Sequence, residues 1–172
     1  MTAARGLTFL EVVISIALLG ILLAVGSNMI SDSVVASKVA TADSQALSAA
    51  HIATERMTRE IREVRVQGKG YRVLTMQPNE LVFEKNVQGT VQTVSIALAQ
   101  NELLLNGSSM ITNVSAGLPG ETGAVLFGYY TAAEQPTTSV TTVRQVRFTF
   151  THQPLDSPAV AMHSSVALRN LK

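Results

Sequence analysis

Residues 7–30 read LTFLEVVISIALLGILLAVGSNMI, and this apolar stretch decides the fold. From Val12 to Ile30 it runs for about 19 residues without a charge, close to the ~20 that a helix needs to cross a bilayer. The stretch therefore predicts a transmembrane helix over 7–30. Because Arg5 precedes it, the positive-inside tendency places the amino terminus in the cytoplasm and the rest of the chain across the membrane.

The order of residues at the amino terminus differs from that of a secretory signal. Such a signal has its small-residue cleavage site after the apolar core. Here the basic and small pair, Arg5-Gly6, comes before the core. We therefore expect the helix to remain part of the mature protein.

Glu11 is the one charged residue in this apolar stretch. Charges on membrane helices cost about 2.5–3.5 kcal/mol at the bilayer centre by insertion scales, and they usually face a partner. Position alone supports two interpretations equally. Glu11 is either an assembly contact or a carboxylate that reaches the cytoplasmic interface or is protonated there.

Helical periodicity continues beyond the apolar stretch and predicts one helix from about Thr8 to Val66. The apolar stripe that carries this periodicity consists of Val35, Val39, Ala42, Ala46, Ala50, Ala53, Met57, Ile61 and Val64. We expect the stripe to pack on a sheet, because no other segment repeats the helical pattern. Charged residues spaced four apart predict a solvated opposite face with supporting ion pairs. These residues are Glu55, Arg56, Arg59, Glu60 and Glu63.

Glycines at 68 and 70 predict the end of the helix, and strand patterns follow. The predicted strands cover residues 71–76, 80–84, 91–99, 102–105, 110–114, 124–131, 142–151 and 160–168. The first four form a meander, and Asn106-Gly107 predicts a further tight turn. Two segments rich in Gly, Pro, Thr and Ala, 115–123 and 132–139, are predicted surface loops. The expected fold class is α+β, with a long helix packed on a mainly antiparallel sheet.

Composition and motifs argue against several functions. Thirteen Lys and Arg balance twelve Asp and Glu without a basic block, so no nucleic-acid partner is expected. The chain has no cysteine, which excludes disulfides and thiolate metal sites. His51, His152 and His163 have no metal-ligand spacing and are expected to be surface or hydrogen-bonded histidines. We expect no metal, no cofactor and no catalysis.

The run Gly6, Leu7, Thr8, Phe9, Leu10, Glu11 resembles the processing motif of type IV pilin and pseudopilin precursors. Those precursors have a short basic leader that ends in Gly, then a motif like FTLIE at the head of an apolar helix. The resemblance implies that residues 1–6 are a leader peptide. It also implies that a prepilin peptidase cleaves between Gly6 and Leu7 and methylates the new terminal amine. Leu7 departs from the usual Phe or Met but keeps an apolar side chain.

The resemblance gives Glu11 a role in assembly. Cleavage leaves an α-amine on Leu7 with an ordinary pKa of about 7.7–8.0, and Glu11 lies about one helical turn away. In a helical stack the Glu11 carboxylate can pair with the amine of a neighbouring subunit, which neutralises two charges that lipid disfavours. Many pilins have a proline where this chain has Asn28, so no proline kink is expected. Gly20 is the expected point of helix flexibility.

Two further segments, 55–62 and 166–171, are similar to minor pilins of the J-type pseudopilin and MSHA-biogenesis groups. The implied protein is a minor pilin-like subunit that is incorporated into, or primes, a type IV pilus. Residues 31–66 would be an amphipathic helix and 67–172 a β-rich periplasmic domain. The implied partners are prepilin peptidase, other major and minor pilin-like subunits, the inner-membrane assembly platform and the bacterial inner membrane itself. The pilin-like subunit would move from that membrane into the fibre.

Three alternatives remain open on the sequence. The first is a minor pseudopilin of a short periplasmic fibre in type II secretion. The second is a membrane-anchored binding module or an adhesin, in which the β-rich domain is displayed at the fibre tip. The third alternative is an enzyme held by a signal anchor.

Overall fold

A computed structural model of the chain describes residues 8–68, 70–155 and 157–168, with every side chain in them except that of Asn28. The chain divides into two compact units, one ending at Thr41 and the other beginning at Ala42. A 54-residue helix, α1 (Phe9–Arg62), contributes to both units. Within the first unit its side chains are largely exposed, and the apolar part of α1 is long enough to span a membrane.

The helix ends at Arg62, four residues before the predicted end at Val66, because the chain begins to pair with the sheet there. The last turn tightens through i→i+3 bonds, in which Glu63 N donates to Glu60 O and Val64 N to Ile61 O. Val64 then bridges Lys85 in the sheet. The apolar side chain of Val64 is buried as its periodicity predicts, but its backbone belongs to the sheet.

All strand pairs in the described part of the second unit are antiparallel. The strands are β1 (Val66–Gln67), β2 (Gly70–Tyr71), β3 (Val73–Gln77), β4 (Glu80–Val87), β5 (Thr90–Ala99), β6 (Glu102–Leu105), β7 (Ser108–Thr112), β8 (Val114–Ala116), β9 (Phe127–Tyr130), β10 (Gln145–His152) and β11 (Val160–Ala167). The expected α+β fold class with a mainly antiparallel β-region is therefore confirmed.

The strands form more than the single sheet that the sequence predicts. β3 to β7 make a five-stranded meander, β10 carries β11 on one side and β8 and β9 on the other, and β1 pairs with β2. The predicted strand 110–114 is divided at Asn113, whose φ of 56° lets the chain leave the first sheet and join the second. The predicted loop 115–123 therefore begins later, after β8. By contrast, the predicted turn at Asn106-Gly107 is confirmed, since both residues have positive φ between β6 and β7.

The core of the second unit lies between α1 and the sheets. The apolar stripe of α1 is buried from Ala46 to Val64, and Met57 and Ile61 have no exposed surface. The phenylalanines of β4 and β10, Phe83, Phe148 and Phe150, belong to the same cluster. The packing of the helix on a sheet is therefore confirmed for this stretch. The first two residues of the predicted stripe, Val35 (60% exposed) and Val39 (49% exposed), are not buried, because they lie in the first unit.

The predicted solvated face of α1 is wrong at Glu60. This carboxylate is buried because the side chain faces β4, where Lys85 Nζ donates a hydrogen bond to it. Arg56 Nε also lies 3.2 Å from Glu60, so one predicted ion pair is present. Glu63 pairs with Lys85 instead of Arg59, and Glu55 pairs with His51. Only at Glu63 does the tertiary partner in β4 replace the predicted helical i, i+4 partner.

Candidate assembly site on the amino-terminal helix

The helix α1 begins with a hydrogen-bonded cap at Thr8. Thr8 Oγ1 accepts a hydrogen bond from the Glu11 backbone N–H at 3.3 Å, and Thr8 O accepts one from Val12 N at 3.3 Å. The cap satisfies one of the backbone donors that the start of every helix leaves unpaired. Sequence reasoning missed Thr8, although Thr-x-x-Glu before an apolar run is a recognised capping signature.

Glu11 lies in the first turn of α1, where a carboxylate is favoured by the helix dipole. Glu11 is exposed, and its chain neighbours Phe9 and Leu10 are 86% and 68% exposed. Among the residues that the structure describes, no ion pair or side-chain hydrogen bond satisfies the Glu11 carboxylate. The backbone O of Glu11 accepts a bond from Ser15 Oγ at 2.7 Å.

The exposed apolar surface continues along the helix through Ile30. Gly20 lies in this stretch within unbroken α-helical structure, and a Cβ built there meets nothing within 4 Å. The fold of the single chain therefore does not require glycine at this position. Because glycine costs about 1 kcal/mol relative to alanine inside a helix, Gly20 calls for an explanation beyond this chain's own packing.

The histidines lie apart in the structure. Nδ1 of the buried His152 lies 2.9 Å from Thr112 O, and Nδ1 of His163 lies 2.8 Å from Thr149 Oγ1. His51 is exposed beside Glu55. In the described ranges no three His, Asp or Glu side chains come together in a metal-binding cluster.

A charged cluster that the sequence did not reveal holds the end of α1 to β4. Burial lowers the pKa of the Lys85 ammonium, but hydrogen bonds and charges from Glu60 and Glu63 outweigh it, so the pKa is raised overall. Beside it, Arg72 donates two hydrogen bonds to the Glu84 carboxylate, and Arg65 adds a third. The hydrogen bonds from Arg72, with the two positive charges, hold the pKa of the Glu84 carboxyl below its usual value.

The processing residues themselves, Gly6 and Leu7, lie outside the described residues, as does the whole of the predicted leader 1–6. Within the described ranges, Glu11 is an exposed carboxylate without a charged partner, at the capped start of an apolar helix. Ionisable residues within membrane helices are rare and usually face a partner or a water-filled cavity. Comparisons with protein-family models, with curated proteins and with solved structures gave no match to this chain.

Proposed function

We propose that the chain is a minor pilin-like structural subunit that is processed by prepilin peptidase and joins, or primes, a type IV pilus. The single observation that carries the proposal is Glu11, an exposed carboxylate without a partner among the described residues, on an apolar helix. Its setting, directly after the prepilin-like Gly6-Leu7-Thr8-Phe9-Leu10, supports the same role.

Assembly neutralises the Glu11 charge. After cleavage the α-amine of Leu7 is a cation at neutral pH, and the Glu11 carboxylate of an adjacent subunit is its counterion. Each charge alone is expensive in lipid, whereas the pair gains Coulomb energy where the dielectric constant is low. The subunit therefore remains in the inner membrane until it assembles. Pairing of the Glu11 charge with a neighbouring subunit then favours its entry into the fibre.

The remaining features of α1 suit a subunit of a packed helical fibre. The apolar surface between Phe9 and Ile30 contacts lipid before assembly and neighbouring helices afterwards. Gly20 permits close approach and local bending of the helix there. The β-rich domain lies in the periplasm and is held to α1 by buried apolar contacts and by the Lys85 ion pairs. The role is structural, without catalysis, metal or cofactor.

The proposal is tested in the native bacterium by substituting Glu11→Gln in the full-length protein. This change removes the charge and keeps the shape, so processing and membrane insertion should be unchanged. Recovery of the mature protein in the sheared fibre fraction should fall at least about tenfold. That factor corresponds to ~1.4 kcal/mol, less than the cost of an uncompensated charge in lipid.

Two control variants separate assembly from helix stability. Asp32→Asn removes another exposed carboxylate from the same helix, beyond the apolar stretch, and should leave fibre incorporation unchanged. Thr8→Ala removes the cap at a cost of about 1 kcal/mol to the helix without touching the charge. If Glu11→Gln enters fibres as efficiently as the wild type, the assembly role of Glu11 is wrong. Recovery of wild-type protein only from a periplasmic fibre would instead assign the chain to type II secretion.

A further inference from the structure

A groove of the second unit lies between the charged face of α1 and the hairpin formed by β6 and β7. Its volume is about 600 Å³. On the helix side it is lined by Ile52, Arg56 and Arg59, and on the hairpin side by Ser108, Ser109 and Met110, among others. The groove is distant in sequence from the assembly site at Glu11 and takes no part in the fibre contacts proposed above.

The charge in this groove is positive and incompletely paired. Arg59 is exposed and belongs to none of the ion pairs in the described part of the chain. Arg56 pairs with Glu60, yet its side chain is still 49% exposed. The one carboxylate of the lining, Glu55, lies 3.3 Å from His51 Nε2. The cation that this groove offers to a ligand is therefore Arg59, which favours an acidic group.

The opposite wall is the edge of a sheet. β7 is the last strand of the meander, so its backbone has β6 on one side and no strand on the other within the described residues. Exposed edges in proteins are commonly protected by charged residues or proline, but β7 has neither in its sequence, SSMIT. The register shifts within the β6–β7 ladder and leaves Met110 as the extra residue of a bulge, which bends the edge locally. The edge backbone of β7 can hydrogen-bond an extended peptide backbone.

The groove also has apolar side chains on both of its walls. Ile52 is 66% exposed on the helix side, and Met110 is half-buried on the strand side. An extended segment presents every second side chain to one face, so an apolar residue and an acidic residue two positions apart can both reach this groove. A peptide backbone matches the unpaired edge better than a lipid or a nucleic acid, because only the peptide continues the hydrogen-bond ladder.

We propose that this groove binds an extended acidic segment of a partner protein, with the segment's backbone along β7 and a carboxylate at Arg59. The proposal does not rest on fibre assembly, since it concerns the second unit alone. It makes the β-rich domain a peptide-binding module in addition to a structural subunit.

The test uses the purified full-length protein in non-ionic detergent and fluorescein-labelled octapeptides. The first, the Glu/Val peptide, repeats Glu-Ser-Val-Ser, so that Glu and Val share one face. The second, the Lys/Val peptide, repeats Lys-Ser-Val-Ser. The third is the Glu/Val peptide with alternate backbone nitrogens methylated. Fluorescence anisotropy should show saturable binding of the Glu/Val peptide only. N-methylation should abolish that binding, because it removes the N–H groups that pair with the strand edge.

Matched charge reversals locate the binding. Arg59→Glu should weaken the affinity for the Glu/Val peptide about tenfold, since it replaces attraction by repulsion. Lys38→Glu changes the net charge equally but is an exposed residue of the first unit, outside the groove lining, and should leave the affinity within about twofold. Absence of saturable Glu/Val binding, equal binding of the Lys/Val or N-methylated peptide, or equal weakening by both reversals would each overturn the proposal.

Discussion

Replacing Lys85 by Met should destabilise the β-rich domain more than the loss of any exposed ion pair. The Lys85 side chain is 14% exposed, and its partner Glu60 is 5% exposed. Removal of the ammonium leaves a buried carboxylate that has lost its closest cation. Methionine keeps most of the side-chain volume, so the change mainly tests charge and hydrogen bonding.

The expected loss of unfolding free energy depends on the ion pair that Glu60 still makes without Lys85. Breaking a buried ion pair by removing one partner costs about 3–5 kcal/mol. Here Arg56 remains 3.2 Å from the carboxylate, so partial compensation places the expected loss near the low end, about 3 kcal/mol. The double variant Lys85→Met with Glu60→Gln should recover part of this loss, because the buried charge is then removed as well.

Urea unfolding of the full-length protein in detergent, followed by tyrosine fluorescence, measures the effect. The chain has no tryptophan and three tyrosines, Tyr71, Tyr129 and Tyr130, so the signal reports only on the β-rich domain. Glu55→Gln removes one partner of an exposed pair as a control and should change the free energy of unfolding by less than about 0.5 kcal/mol. If Lys85→Met costs no more than Glu55→Gln, the reasoning about the buried cluster is refuted.

Two further predictions concern a turn and a pH effect. Gly117→Ala should cost about 3 kcal/mol in the same urea assay, because its φ is +76° and a Cβ there would lie 2.1 Å from Ala124 Cβ. Gly120→Ala, with φ +82° and open space, should cost only about 1 kcal/mol, and equal losses would contradict the clash. The lowered pKa of Glu84 means that its stabilisation is complete above its unfolded value near 4.5 and is lost as pH falls through the folded value. Urea titrations between pH 7 and 3 should therefore show a shallower acid decline for Glu84→Gln than for wild type, and parallel declines would contradict the linkage.

Features with a local cause could be predicted from the sequence. The buried stripe from Ala46 to Val64 follows the 3.6-residue period of a helix. The Asn106-Gly107 turn consists of residues that tolerate positive φ. The Thr8 cap had a local signal too, in Thr-x-x-Glu, although sequence reasoning assigned Glu11 only to assembly. Local patterns therefore give the helix, the turns and most strands.

Features that depend on distant partners could not be predicted. The burial of Glu60 follows from Lys85, which lies in β4 and has no fixed spacing from the helix. The end of α1 at Arg62 depends on the bridge between Val64 and β4. The change of sheet at Asn113 depends on the pairing of β8 with β10, and the groove beside Arg59 exists only once β7 lies near α1. A strand can pair with distant strands in many registers, and the register with the lowest free energy cannot be identified from the residue pattern of a single sequence.

The amino terminus of the mature protein shows directly whether the chain is processed as a pilin-like subunit. Intact mass and amino-terminal sequence should be measured on the full-length protein from cells with and without prepilin peptidase. Processing after Gly6 predicts a chain that begins at N-methylated Leu7 in cells with the peptidase and an unprocessed chain that retains Gly6 in cells without it. A Met-Thr-Ala start in both strains would show that the chain is not a prepilin peptidase substrate.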